Sequence, residues 1–321
     1  MVVACKGDAM RRVTSRLTVL AVAMASFTLV GCGQVAMLRA KQDIKEANAM
    51  YQSGDYKGAA AKYEEALAKD PTLADIYFFV GNSYDNLYKP SRKGEEANDA
   101  FLTKAIENYR KSAEMNSTPN IKKLALEYLV AAYGPDKLND PAQSEPIVQQ
   151  MIQLEPNEPT NYFALAKIYE DNGDYEKAEA SYLKAKEVKP DEPAVYTTLA
   201  GYYNRQGDFE KTIDALNQRT AKEPNNPEAH HMVATFYWDK VYRDFRLPDA
   251  DKRKFVQAGI EEVDKAIALK ADYVEAITYK NLLLRLQANL EKDGGKQKAL
   301  LAEADKLRDK ALELRKANGG A

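Results

Sequence analysis

The chain is poor in the residues that carry most side-chain chemistry. It has two cysteines in 321 residues, Cys5 and Cys32, both within the first 33. The rest of the chain is therefore excluded from disulfide, thiolate-metal and cysteine-nucleophile chemistry. There are two histidines, His230 and His231, adjacent to each other. Neighbours on a helix point about 100° apart, so this pair is badly placed to chelate one ion. Neither a Walker A loop nor a Gly-rich dinucleotide fingerprint is present. The 46 basic and 48 acidic residues leave a net charge of −2 and no basic excess for phosphates, so nucleic acid is not expected as a partner. The carboxylate pairs Glu64-Glu65, Glu95-Glu96 and Glu261-Glu262 read as solvated helix surface rather than acid/base couples. These absences point away from an enzyme and from any cofactor or metal.

What is present begins at the N-terminus. Arg11, Arg12 and Arg16 precede an apolar run from Leu17 to Val30, which is shorter than the roughly 20 residues a bilayer span needs. Small residues follow, the order of a secretory signal. Leu29-Val30-Gly31-Cys32 resembles the lipobox of bacterial lipoproteins. That resemblance implies cleavage of residues 1–31, acylation of Cys32, and a short tether over residues 32–39. Either Met1 or Met10 can serve as the start. Removing the signal takes away Lys6, Arg11, Arg12, Arg16 and Asp8, carrying the net charge from −2 to −5. Gly33 stands where an inner-membrane retention signal has Asp, so the outer membrane is the favoured destination.

Past Cys32, helical runs alternate with regularly spaced turn residues. NEPTNYFALAKIYEDNGDYEKAEASYLKAKEVKPDE is the clearest unit, with Tyr162, Leu165-Ala166, Tyr169, Ala178, Tyr182 and Pro190 at set positions. A shift of about 34 residues gives Tyr196, Leu199, Ala200, Tyr203, Thr212, Leu216 and Pro224. An earlier copy has Ala47, Ala59, Tyr63, Ala66 and Pro71. The pattern resembles the tetratricopeptide repeat (TPR) over nearly all of residues 40–317. It implies an all-α, right-handed superhelical solenoid of about seven helix hairpins. The units fall near 40–73, 74–118, 119–158, 159–192, 193–226, 227–273 and 274–317. Small residues fit where paired helices approach, and proline ends each second helix. The linkers SGDY, NGDY and QGDF supply glycine for a left-handed turn and aspartate to cap the next helix. The third unit is irregular, with YGPDKLNDPAQSEP reading as a long proline-rich turn; the fifth has Arg219 where the family has Ala.

Two units break the period in the same place. The second helix of each resumes about a dozen residues late by the family template. Both extra segments begin alike, with Tyr84, Leu87, Tyr88 and Lys89 in one and Tyr237, Val241, Tyr242 and Arg243 in the other. They are read either as projecting elements that grip a partner through Tyr88, Arg92, Tyr242, Arg243 and Arg246, or as longer hairpins whose tyrosines pack inward.

In this family ligands lie along the face lined by the first helix of each pair. The resemblance places Asn48, Tyr51, Phe78, Asn82, Asp85, Asn86, Phe163, Lys167, Glu170, Asn204, Arg205, His231, Trp238 and Asp239 there. Amides and rings suit an extended peptide. Ile44, Asn48, Phe78 and Asn82 do not supply the paired cations that clamp a terminal carboxylate. The resulting expectation is a non-catalytic, lipid-anchored scaffold or assembly factor of the bacterial cell envelope, bound to an envelope protein or extended peptide segment. The alternative is a glycan-binding accessory to exported polysaccharide or peptidoglycan enzymes.

Overall fold

A computed structural model of the chain describes residues 35–115, 117–317 and 319. The signal segment and Cys32 lie outside the described residues. Fourteen α-helices and no strand are found among the described residues. They form two compact units, divided between Leu154 and Glu155.

The N-terminal unit holds α1 (35–52), α2 (Tyr56–Lys69), α3 (Ala74–Leu87), a short 3₁₀ turn (Pro90–Arg92), α4 (Glu96–Glu114), α5 (Pro119–Tyr133) and α6 (Pro141–Leu154). The C-terminal unit holds α7 (Pro159–Asp171), α8 (Tyr175–Val188), α9 (Pro193–Arg205), α10 (Phe209–Lys222), α11 (Pro227–Arg243), α12 (Asp249–Leu269), α13 (Val274–Leu290) and α14 (Gly294–Ala317). Within each unit consecutive helices pack on one another, the arrangement of a TPR solenoid.

The reason lies in which residues vanish from solvent. Ala47, Ala59, Ala66, Ala105, Ala166, Ala178 and Ala185 are wholly buried, letting backbones approach, while Tyr63, Tyr109, Leu216, Val233 and Leu283 fill the remaining space. Each such large side chain contributes roughly 1.5–3 kcal/mol on burial. The turns work as their residues dictate. Gly54, Gly173 and Gly207 have φ of 82°, 76° and 75°, and Asp55, Asp174 and Asp208 accept from the amides of Gly58, Lys177 and Lys211.

A further stitch recurs between repeats. The hydroxyls of Tyr77, Tyr162 and Tyr196 donate to the carbonyls of Pro71, Pro156 and Pro190, at 3.4, 2.8 and 2.6 Å. His230 takes the same position, with Nε2 3.2 Å from the Pro224 carbonyl and Nδ1 2.7 Å from Glu262. Arg219, out of place by the family pattern, is buried because its guanidinium pairs with Glu223 at 2.9 Å.

Three details differ from the sequence expectation. Residues 35–39, expected as tether, are the opening of α1, whose apolar face Ala40, Ile44, Ala47 recurs at helical spacing. The long turn of the third repeat ends early. Pro141 opens α6 at its first position, where no amide donor is needed, and Pro146 sits inside the helix at the cost of one hydrogen bond. Of the expected long hairpins, α11 has 17 residues and α12 has 21, against 13 and 14 in α7 and α8. A third long pair was not expected: α13 and α14 have 17 and 24 residues, since no glycine or proline interrupts 296–317. Among the described residues no helix is long and apolar enough to cross a membrane.

Candidate functional site

In the N-terminal unit the expected inner-face residues meet, but largely each other. The Tyr51 hydroxyl donates to Asn82 Oδ1, which also accepts from Asn86 Nδ2 at 3.0 Å. Asn82 Nδ2 lies 3.5 Å from the Tyr109 hydroxyl, which donates to Asp85 at 3.3 Å; Asp85 is paired with Lys137. The Tyr63 hydroxyl donates to Asn48 at 2.6 Å. Phe78 is buried against Tyr109 and Tyr128. Burial pushes the Tyr63 hydroxyl up to about 12 and Tyr109 beyond its ordinary range, so both remain donors at neutral pH. Exposed Asn48 and Asn86 are what this cluster offers a ligand; Phe78 and Asn82 form its floor.

The first extra segment is folded back on the unit. Tyr88, a candidate for a projecting edge on one reading and for inward packing on the other, is buried at 5% exposure. Asn98, itself buried, accepts from the Lys89 amide at 2.8 Å and donates to the carbonyls of Lys89 and Arg92, both at 3.1 Å. This is the physical reason Tyr88 turns inward: the segment's own backbone polar groups are satisfied by a buried amide. Lys93 Nζ donates to the Lys137 carbonyl at 2.6 Å, and Arg92 is engaged with Glu95 on the surface.

In the C-terminal unit the inner face is charged and aromatic. Arg205 grips Glu170 with two bonds of 2.7 and 2.9 Å, holding that carboxyl below the usual range. The Tyr182 hydroxyl also donates to Glu170, at 3.1 Å, and its ring lies 6.1 Å from Phe163. Lys167 pairs with Asp171 on the same helix. His231 lies edge-on to Tyr273 and Tyr279, and burial moves its imidazole below the usual value. Trp238 stacks on Tyr242 with ring centres 4.7 Å apart and planes 12° apart.

The second extra segment projects. Tyr242 is 64% exposed and Phe245 82%. Beside them opens a cleft of about 290 Å³ lined by Asn204, Phe209, Phe236, Lys240, Phe245 and Arg246, with Asp239, Arg243 and Asp244 on its rim. Here the two sequence-derived sets converge, since Asn204 and Asp239 came from the inner face and Arg243 and Arg246 from the hairpin edge. Phe209, Phe236, Lys240 and Phe245 were missed. The signals were QGDF, with Phe where SGDY and NGDY have Tyr, and a lone Phe within the charged stretch RDFRLPDADK. A second cleft, of about 680 Å³, lies on the other side of Phe209, bordered by Glu210, Asp214 and Asp251. Among the described residues no group of three or more His, Cys, Asp or Glu is placed to hold a metal.

This geometry accords with known repeats. Residues 47–87 match a family described as TPR repeat, and residues 159–192 one described as tetratricopeptide repeat. The chain carries TPR repeats, one match in each compact unit. Among solved structures it is similar to the C-terminal part of a TPR repeat-containing protein from Cytophaga hutchinsonii. That likeness has 15% identity and a TM-score of 0.55, and covers 84% of this chain and 98% of that one. At this identity it is a likeness of fold alone. MamA matches at 19% identity over 58% of this chain and 92% of that one, TM-score 0.44. YrrB, described as a TPR protein with an unusual peptide-binding site, matches at 18% identity over 59% of this chain and 89% of that one, TM-score 0.40. No curated protein matches the chain.

Proposed function

We propose that this chain is a non-catalytic TPR lipoprotein of the bacterial cell envelope, acylated at Cys32, in the outer rather than the inner membrane. It holds an envelope protein or an extended peptide segment during assembly of a membrane machine. The observation that carries the binding role is the cleft beside the α11–α12 hairpin. Phe245, 82% exposed, joins Phe209 and Phe236 in lining that cleft, and Tyr242 nearby in sequence is 64% exposed, so the aromatic exposure is clustered rather than scattered.

Anchoring is supported by reach and by polarity. With α1 starting at residue 35, Cys32 lies at most about 10 Å of extended chain from the folded body. The first described residues, Val35, Met37 and Leu38, are 48%, 47% and 66% exposed, an apolar start suited to the side of an acylated residue. A second reading, glycan binding, has one observation in its favour: in the near-parallel Trp238–Tyr242 stack, Tyr242 offers a flat ring face to solvent.

In-cell crosslinking of the tagged chain, followed by mass spectrometry, tests the proposal against Cys32→Ala. Expected is a small set of envelope proteins crosslinked to the wild type and lost when Cys32 is replaced. A chain that stays membrane-bound yet crosslinks no protein, while retaining soluble glycan fragments, would favour the second reading.

A further inference from the structure

We propose that the cleft at the α11–α12 tip takes a partner segment in which an apolar side chain stands next to a single carboxylate. The proposal rests on the protein-binding reading above and adds the chemistry of what is bound. It starts from the charges around the cleft. Arg243 pairs with Asp239, and Lys240 pairs with Asp244 at 3.0 Å while its ammonium also lies 5.5 Å from the centre of the Phe209 ring. These two pairs neutralise the rim. Among the described residues the guanidinium of Arg246 forms no salt bridge or side-chain hydrogen bond; it lies in the field of Asp244, which is already paired with Lys240 and accepts from the Arg246 backbone amide at 3.2 Å. Two carboxylates face three cations at the cleft, and the donors of the Arg246 planar fork are not taken by a side chain, so one further carboxylate is matched there.

The apolar half of the ligand follows from the walls. Phe209 and Phe236 line the cleft with Phe245, the last 82% exposed. A side chain inserted among them would be covered on several sides, and the exposed Phe245 ring would be covered in turn. The amide of Asn204, also on the wall, is available for the segment's backbone. Volume agrees, since about 290 Å³ admits one or two side chains and not a domain.

Polarity limits the ligand further. Beyond Phe209 the wider cleft carries Asp208, Glu210, Asp214 and Asp251 against Lys240 and Lys254, an acidic excess. A run of acidic residues crossing Phe209 would meet like charge there, so one carboxylate is accepted and a string is rejected. A flat bilayer fits less well, because a single net positive charge at the cleft gives little attraction to anionic lipid.

The test uses the full chain in detergent micelles, panned against a phage-displayed library of random heptapeptides. Enriched peptides are expected to carry Asp or Glu beside a large apolar residue. Their fluorescein-labelled forms should bind at least about tenfold more weakly to Phe245→Ala and to Arg246→Glu, with Arg246→Lys, which keeps the charge but loses the planar fork, falling between wild type and Arg246→Glu, and thermal melting unchanged in all three. Binding should weaken as salt is raised. Enriched peptides that bind these variants as well as wild type would overturn the assignment of the cleft while leaving protein binding intact. So would failure to enrich any peptide when crosslinking in cells still yields a protein partner. Failure of both would overturn the protein-binding reading as well. Vesicles of phosphatidylcholine and phosphatidylglycerol retained by wild type but not by Phe245→Ala, without peptide binding, would replace the proposal with membrane docking.

Discussion

The two extra segments start from nearly the same residues and end in opposite states. The first, between α3 and α4, is held down by Asn98, which bonds the backbone at Lys89 and Arg92, and its tyrosine, Tyr88, is buried. The second, between α11 and α12, has no such amide among the described residues; Pro248 is the N-cap of α12, and Tyr242 and Phe245 stand in solvent. What separates them is whether the turn can satisfy its own backbone inward. A buried amide nine residues on lets the first turn fold onto the unit, whereas the extra length of α11 and α12 carries the second turn outward. One inserted segment is therefore packing, and the other is surface.

The sharpest way to break this contrast is to truncate the matched tyrosines. Tyr88→Ala is expected to cost about 3 kcal/mol, as for other buried aromatics, and Tyr242→Ala less than about 1 kcal/mol, chiefly the loss of its stack on Trp238. Urea unfolding of both variants measures it; equal losses would abolish the distinction. Next, Asn98→Ala should cost about 2 kcal/mol by leaving buried backbone groups without partners. A loss below about 0.5 kcal/mol would show that the turn does not depend on its staple.

Smaller effects sharpen the picture. Lys93→Met removes one surface bond to the Lys137 carbonyl and should cost no more than about 1 kcal/mol, read from the same unfolding curves. Smallest is the response to acid. The hydrogen bond from Lys240 holds the Asp244 carboxyl below its ordinary value. A depressed carboxylate stabilises above its unfolded pKa, and that contribution is lost as pH falls through the folded one. Amide hydrogen exchange at Phe245–Leu247, corrected for intrinsic rates, should therefore accelerate under acid. Exchange at Lys89–Arg92, whose turn is held by a neutral amide, should not. Parallel acceleration at both turns would mean that Lys240–Asp244 does not order the second.

Much of the fold was legible because the repeat writes its packing into residue size. Ala166, Ala178 and Ala185 are small where helices touch, and glycine followed by aspartate marks turns whose φ values and caps bear the reading out. Other features were hidden because they depend on what lies across the space. Pro146 reads as a turn until α6 is seen to begin at Pro141. Phe78 and Asn82 are first-helix residues by position, yet Tyr109 and Tyr51 cover them. The cleft was only half legible: its charged rim stood out as a Tyr- and Arg-rich insertion, while Phe209 and Phe236 looked like ordinary core residues.

By itself the sequence determined the helical class, the repeat period, the caps, and the absence of thiol chemistry beyond Cys32. These follow from local rules of spacing and turn geometry, which need only near neighbours along the chain. Only the tertiary structure decided which of two similar insertions is buried, which inner-face residues are left for a ligand, and that Asn204 and Arg246 share one cleft. Those outcomes depend on partners tens of residues away, and a side chain's exposure is set by what packs against it.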